Sequence, residues 1–234
     1  MRRALAAALL VALLAPPLGA GQIPGAVLVL ELAPGTPGSD PSGAPPRFVL
    51  LKDGQVFVGG SSLLEAGRLE KGEAQALQKR ASALRKLPGI GSPVSFGGSV
   101  DRVARLRLLE DEPLEIVATG VPPAAGATAS DPVSVPATLA PLAALLRDLE
   151  DFHHASLRPY APSSYSLTVR EARLAGGCRP WALPLPIADA LAGPRAVPAA
   201  DAASWPTGAM PASVCVEDRR YAVTLRPLLP GENP

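Results

Sequence analysis

The chain has 234 residues and a formal net charge of +1 at pH 7, with 28 prolines, 22 glycines, 2 cysteines and 2 histidines. So balanced a charge argues against general affinity for nucleic acid, which is bound through an excess of Lys and Arg. Hydrophobic residues make up 47% of the chain, which is too much for a disordered protein. We therefore expect a globular protein with long loops rich in Pro and Gly.

Residues 1–20 have the three parts of a bacterial-type secretory signal peptide. A basic start at Arg2 and Arg3 precedes an apolar run, and small residues follow up to Ala20. The run is shorter than a membrane-spanning helix, and no later stretch reaches about 18 apolar residues. We expect cleavage after about Ala20, a secreted or periplasmic mature chain, and no membrane insertion of that chain. An N-terminal core helix is the alternative, which the Pro pair at 16–17 disfavours.

The first predicted elements are a hairpin and a helix. Residues 21–46 are predicted to be a flexible N-terminal segment, with a candidate strand at 28–32 followed by a Gly-, Pro- and Ser-rich loop. The Asp-Gly pair at 53–54 lies between two apolar runs and predicts a β-hairpin in which both turn residues take positive φ. Apolar spacings of three and four predict a helix over 70–87, which the Pro-Gly pair at 88–89 ends.

A second hairpin is predicted from alternation at 103–109 and 114–118, on either side of the acidic triplet 110–112. A slip of one residue would place apolar side chains opposite polar ones on both faces, so the pattern selects one register. That register gives three cross-strand pairs: Leu106 with Ile116, Arg107 with Glu115, and Leu108 with Leu114.

The rest of the chain predicts a second helix over 139–156, a strand around 165–169 and a long loop over 176–212. A last hairpin is predicted with Val214 opposite Val223 and Val216 opposite Tyr221. Because most of the predicted strands are adjacent in sequence, they favour an α+β fold. This fold would be an antiparallel sheet built from hairpins, with two amphipathic helices on one face and long Pro/Gly-rich loops. We expect a single domain over 47–234. The units 47–90 and 102–157 are either a diverged hairpin–helix repeat or a coincidence.

Cys178 and Cys215 are the only cysteines. In an exported chain the default is a disulfide, which would join the long loop to the last hairpin. A redox or nucleophilic thiol is the alternative. It is disfavoured because the chain has no Cys-x-x-Cys and neither cysteine has a His nearby in sequence.

His153 and His154 are the only histidines and fall at the end of the second predicted helix. Adjacent residues point about 100° apart on a helix, so the two cannot hold one ion from one face. Glu150 and His153 have the Glu-x-x-His spacing of carboxylate-bridged metal sites, but such sites need two copies of it. We expect no metal and no other cofactor, and we favour a solvated helix end where a cation meets the helix dipole.

Motifs of known catalytic centres are missing from the sequence. Gly-x-Ser-x-Gly, Ser-x-x-Lys, His-Glu-x-x-His and Gly-x-x-x-x-Gly-Lys do not occur. The acidic triplet 110–112 lacks the alternating oxygen ligands of a calcium loop. We therefore name no catalytic residue.

Aromatic side chains supply the candidate contact surface. Trp181 and Trp205 both lie between the two cysteines, and Tyr160 precedes that loop. Aromatics on a loop held by a rigid sheet are typical of recognition surfaces, so these three are predicted to bind a partner. The alternative, which we favour for the tryptophans, is that they pack the loop against the protein.

These observations predict an exported, non-enzymatic binding module whose partner is an unidentified envelope protein or extracellular polymer. A hydrolase that uses carboxylates alone, for example on an envelope glycan, is the second hypothesis, since two carboxylates across a cleft are sufficient. An inhibitor or immunity-type module is the third.

Overall fold

The computed structural model describes residues 23–34, 47–59, 64–91, 93–96, 102–110, 112–120, 135–172, 176–206 and 211–234. The predicted signal peptide lies outside these residues. Within these ranges, thirteen strands in two mostly antiparallel sheets and four helices confirm the α+β class.

The strands vary in length from two to nine residues. They are β1 (Ala26–Pro34), β2 (Phe48–Leu51), β3 (Gln55–Gly59), β4 (Leu64–Arg68), β5 (Val94–Ser95), β6 (Arg102–Leu108), β7 (Leu114–Thr119), β8 (Arg158–Pro159), β9 (Ser164–Glu171), β10 (Arg179–Pro180), β11 (Arg195–Pro198), β12 (Ala212–Val216) and β13 (Arg219–Pro227). The helices are α1 (Lys71–Ala83), α2 (Ala140–Glu150), α3 (Ile187–Leu191) and α4 (Ala199–Ala202).

The first sheet has the strand order β5-β7-β6-β1-β2-β3-β4-β8, and only its β5–β7 pair is parallel. β1 lies in the middle, and its Val29 and Leu30 are fully buried. This strand contains the candidate strand predicted at 28–32 and extends beyond it at both ends, within residues 21–46 that were otherwise predicted to be flexible. Both faces of β1 are covered, so the strand is apolar apart from Glu31 and lacks the alternation of a half-exposed strand.

Helices α1 and α2 pack on one face of the first sheet, as the sequence predicted. In α2, Leu142, Leu145 and Leu149 are fully buried against the strands. In α1 the buried stripe is made largely of alanines, which lets this helix approach the sheet closely. An ion pair of 2.5 Å between Arg80 and Asp148 joins the exposed sides of the two helices.

α2 ends at Glu150, six residues before the predicted end at 156. The guanidinium of Arg47 donates two hydrogen bonds, of 3.0 and 2.7 Å, to the carbonyl of Glu150 and so satisfies a carbonyl that lacks an intrahelical partner. His153 and His154 therefore lie beyond the helix. The prediction that both imidazoles lie at the end of this helix is wrong.

The second sheet has the strand order β10-β12-β13-β9-β11. The sequence predicted a single sheet, so this division into two is a difference from the prediction. The second sheet begins at the predicted strand β9 and includes the last hairpin. Residues 176–212, predicted as loop, contribute β10, α3, β11 and α4 to this layer. Its core includes Leu167, Val214 and Leu225, each at most 1% exposed.

Residues 228–234, which we call the C-terminal strap, contribute to the cluster on the other face of the first sheet. Leu229 is 3% exposed and packs in one cluster with Val49 and Phe57. The strap follows β13 directly, so it carries the chain from the second sheet onto the first.

The three predicted hairpins form, with differences at their turns. The β6–β7 register is confirmed at all three predicted pairs. In the β2–β3 turn only Gly54 takes a positive φ, of +85°, so the predicted positive φ at Asp53 is wrong. In the β12–β13 hairpin Val214 is opposite Tyr221, which shifts the predicted register by two residues. Such a shift keeps every side chain on its face, so alternation alone could not detect it.

Candidate functional site

The predicted disulfide between Cys178 and Cys215 is confirmed, with Cα atoms 5.6 Å apart across a sequence separation of 37. β10 lies parallel to β12 with Pro180 opposite Cys215, and this pairing brings the two cysteines together. The bond closes residues 178–215, which we call the disulfide-closed region. Loss of chain entropy in the unfolded state gives a stabilisation of about 4 kcal/mol as an upper value.

Trp181 and Trp205 contact each other within that region, with ring centroids 5.8 Å apart at an angle of 69°. Trp205 is 5% exposed, and the guanidinium carbon of Arg179 lies 4.7 Å from its ring centroid. Trp181 is half-buried and donates a hydrogen bond of 2.8 Å from its Nε1 to the carbonyl of Leu185. Both rings contribute to packing the region onto the second sheet, while their role in partner binding stays a prediction.

Tyr160 lies elsewhere, on the strap-covered face of the first sheet. Its ring meets Phe57 edge-on at 5.3 Å, and its hydroxyl donates a hydrogen bond of 3.1 Å to the carbonyl of Leu228. Burial, with a smaller effect from the charge of Glu232, raises the pKa of the Tyr160 phenol above its usual 10.0. The structure thus brings together two of the three predicted contact residues and places the third in a different cluster.

An open recess of about 350 Å³ lies in the disulfide-closed region, and we call it the β11 recess. Its walls come from the Pro184–Leu185 turn, from α3 and α4, and from every residue of β11. The lining residues are Pro184, Leu185, Asp189, Arg195, Ala196, Val197, Pro198 and Asp201. Its volume is at the lower end of the range of ligand sites.

Two carboxylates and one guanidinium supply the charge of the β11 recess. Asp189 and Asp201 are exposed, and within the described part of the chain neither side chain has a hydrogen bond or an ion pair. Arg195 donates from Nε to the carbonyl of Asp189 at 3.0 Å. The recess therefore has a net charge of one negative unit, and its other lining residues are Pro, Leu, Ala and Val.

Sequence reasoning missed these two aspartates, although a local signal exists. Residues 186–190 read Pro-Ile-Ala-Asp-Ala and residues 198–202 read Pro-Ala-Ala-Asp-Ala. In each copy the Pro is the N-cap of a short helix, the Asp lies in its first turn, and the last Ala is 1% exposed. The repeat places one carboxylate in the helix before β11 and an equivalent one in the helix after it.

A Ser–His–carboxylate arrangement, for which the sequence gave no support, lies between β4, α1 and the segment after α2. Ser156 Oγ is 2.7 Å from His154 Nδ1, and His154 Nε2 is 3.4 Å from Glu73 Oε2. The hydroxyl oxygen also lies 3.0 Å from both the amide nitrogen and the carbonyl oxygen of Arg68. Because its lone pairs and proton are used in holding β4, we interpret Ser156 as a structural bridge and not as a nucleophile.

A second charged cluster lies on the strap-covered face of the first sheet. Glu31 contacts Arg107 at 3.0 Å and Arg105 at 3.8 Å, and its Oε2 is buried without a hydrogen bond. Burial raises the pKa of Glu31 above its usual 4.5, against the opposing effect of the two guanidinium groups. Arg105 also contacts Glu115 at 3.5 Å, so two carboxylates balance two guanidinium groups and this cluster has no excess charge to offer a ligand.

Within the described ranges, no group of three or more His, Cys, Asp and Glu side chains is placed to hold a metal ion. In the same residues, no helix combines the length and the apolar character needed to cross a bilayer. The disulfide is compatible with an extracellular or periplasmic location. Comparison with protein-family models, with curated proteins and with solved structures gave no match.

Proposed function

We propose that this chain is an exported, non-enzymatic binding module of the periplasm or extracellular space, and that its contact surface is the disulfide-closed region. The signal-peptide pattern of residues 1–20 supports export, and the disulfide fits an oxidising compartment. In this proposal the signal peptide is cleaved after about Ala20 during export.

The β11 recess is the observation that carries this proposal. It is concave, it lies within the region that the disulfide closes, and it combines apolar walls with two carboxylates that have no partner among the described residues. Recognition sites have this composition of apolar lining with a few polar groups. Trp181 helps to hold the site, since its Nε1 donates a hydrogen bond to the carbonyl of the lining residue Leu185.

Site-specific photo-cross-linking tests the proposal. The photoreactive amino acid p-benzoylphenylalanine replaces Leu185 or Ala196 in the recess, and Asp218 in the exposed β12–β13 turn serves as the matched control position. The variants are exported in the organism that makes the protein and irradiated. We expect one discrete adduct from both recess positions and none from the turn. Equal labelling at all three positions, or none, would contradict a contact surface in this region.

A carboxylate-dependent hydrolase acting on an envelope polymer is the second candidate, because Asp189 and Asp201 line the same recess. Asp189→Asn and Asp201→Asn separate the two functions. A hydrolase would lose turnover of isolated envelope glycan in either variant while the glycan still bound, whereas a binding module shows no turnover at all. If the cross-linked partner is itself an enzyme that the protein inhibits, the inhibitor or immunity-type hypothesis would be the specific form of the binding function.

A further inference from the structure

The β11 recess follows the edge of a sheet. β11 is the last strand of the second sheet, and among the described residues it pairs only with β9. The pairing is antiparallel, with Ala196 opposite Ser166 and Val197 opposite Tyr165. In antiparallel pairing alternate residues direct their backbone groups away from the neighbouring strand. No hydrogen bond in the described residues uses the outward backbone groups of β11. The recess therefore offers a free strand edge at its wall.

Exposed strand edges are sites at which another extended chain can pair. Natural proteins block such edges with Pro, with charges or with shortness, and β11 has four residues ending in Pro198. This length admits a short segment and discourages open-ended aggregation. Pro184 and Leu185 line the same recess, so a strand added along β11 would also contact these two side chains.

Charge indicates what the occupant carries. Asp189 and Asp201 come from the helices before and after β11 in the chain, and both line the recess without a cationic partner among the described residues. The one guanidinium of the recess leaves a deficit of one positive charge. A single basic side chain on the occupant would balance the recess. An acidic or sulfated polymer would instead add to the repulsion.

We propose that the occupant is an extended polypeptide segment with a basic side chain, which adds to the second sheet along β11 and places its cation between Asp189 and Asp201. This inference rests on the proposed function and specifies its partner. Backbone pairing would supply affinity, and the two carboxylates would select the basic residue, as in other cases of strand addition.

End-blocked synthetic heptapeptides test the inference on the exported, oxidised protein. The probe alternates Thr and Val around a central Arg. One control replaces Arg with its neutral isostere citrulline, a second replaces it with Glu, and a third keeps Arg but carries N-methyl groups on alternate amides. Affinity is measured by fluorescence polarisation. Contact is located by the NMR shifts of the Arg195, Ala196 and Val197 amides.

We expect the citrulline peptide to bind about tenfold more weakly than the Arg peptide, in line with two partly exposed charge contacts. The double variant Asp189→Asn/Asp201→Asn should abolish that difference, while Asp218→Asn in the β12–β13 turn should leave it intact. N-methylation should prevent binding and the amide shifts along β11.

Three results would overturn the inference: equal affinity for the Arg, citrulline and Glu peptides, binding of the N-methylated peptide, or no binding of any peptide. If the recess positions still cross-link a partner in the cell, the proposed binding function stands and only the occupant is wrong. If the cross-links are also missing, both the occupant and the function are wrong.

Discussion

Gly67 of β4 lies against the segment that follows α2 so closely that a larger residue does not fit. A Cβ at this position would be 2.6 Å from Ser156 Oγ and 3.1 Å from the carbonyl carbon of Ser156. We predict that Gly67→Ala lowers the free energy of unfolding by about 1–3 kcal/mol, since the Ser156 bridge to β4 must move. Urea denaturation measures this change in the free energy of unfolding. Gly72→Ala is the control, because a Cβ there meets no atom within 4 Å and should stabilise α1. Equal effects at both positions would contradict this account.

Glu31 is a partly buried carboxyl group, and burial disfavours its charged form. Burial raises its pKa above the usual 4.5 despite the neighbouring Arg107 and Arg105. A carboxyl whose pKa is higher in the folded state stabilises the fold fully below the unfolded pKa and loses that contribution as the pH rises through the folded value. We therefore predict that the stability of Glu31→Gln, relative to wild type, increases from pH 4.5 towards neutrality. Urea unfolding at a series of pH values tests this, and a relative stability that falls with pH would contradict it.

At the scale of elements, the β12–β13 turn stores local strain. Glu217 has a φ of 53° and is the one non-glycine residue with positive φ within the described ranges. We predict that Glu217→Gly stabilises the protein by about 0.5–1 kcal/mol, because glycine adopts this conformation without a Cβ clash. The matched control is Asp218→Gly, at a position without positive φ, which should be neutral or destabilising. Thermal unfolding compares the two, and a gain at 218 equal to that at 217 would rule out the positive φ of Glu217 as the cause.

The alternation of apolar and polar residues predicts some elements of this fold well and leaves others undetermined. Alternation identified β6, β7, β9, β12 and β13, and it set the β6–β7 register because a slip of one residue would expose apolar side chains. It could not set the β12–β13 register, where a two-residue shift leaves every face unchanged and the turn that forms has a positive φ at the non-glycine residue Glu217. Helix α2 was predicted too long because its end depends on Arg47, which is 103 positions away.

The candidate site was predictable only in part, for similar reasons. The pairing of Cys178 with Cys215 follows from composition and expected compartment alone. The β11 recess depends on how a Pro-rich stretch folds back along the edge of a sheet that the sequence does not separate from the first. The repeated Pro-x-Ala-Asp-Ala at 186–190 and 198–202 is a local signal, yet its meaning requires the strand between the copies.

At the scale of the whole molecule, the C-terminal strap joins the two sheets. Arg226 at the end of β13 binds Glu232 at 2.7 Å, with side-chain exposures of 7% and 2%, and the other oxygen of Glu232 accepts the amide of Leu229 at 2.9 Å. The pair holds the strap in the fold that places Leu229 against the first sheet. Removing one member would leave a buried charge without a partner, which is far more costly than removing both.

We predict that Glu232→Ala lowers the free energy of unfolding by about 3–5 kcal/mol, and that the double variant Arg226→Met/Glu232→Leu loses distinctly less. Two probes follow urea unfolding: far-UV circular dichroism reports both sheets, whereas Trp181 and Trp205 report only the core of the second. Because the strap links the sheets, both signals should move together to lower urea concentration in Glu232→Ala. A dichroism transition that shifts while tryptophan fluorescence keeps its midpoint would mean that the sheets unfold independently and that the strap stabilises only the first.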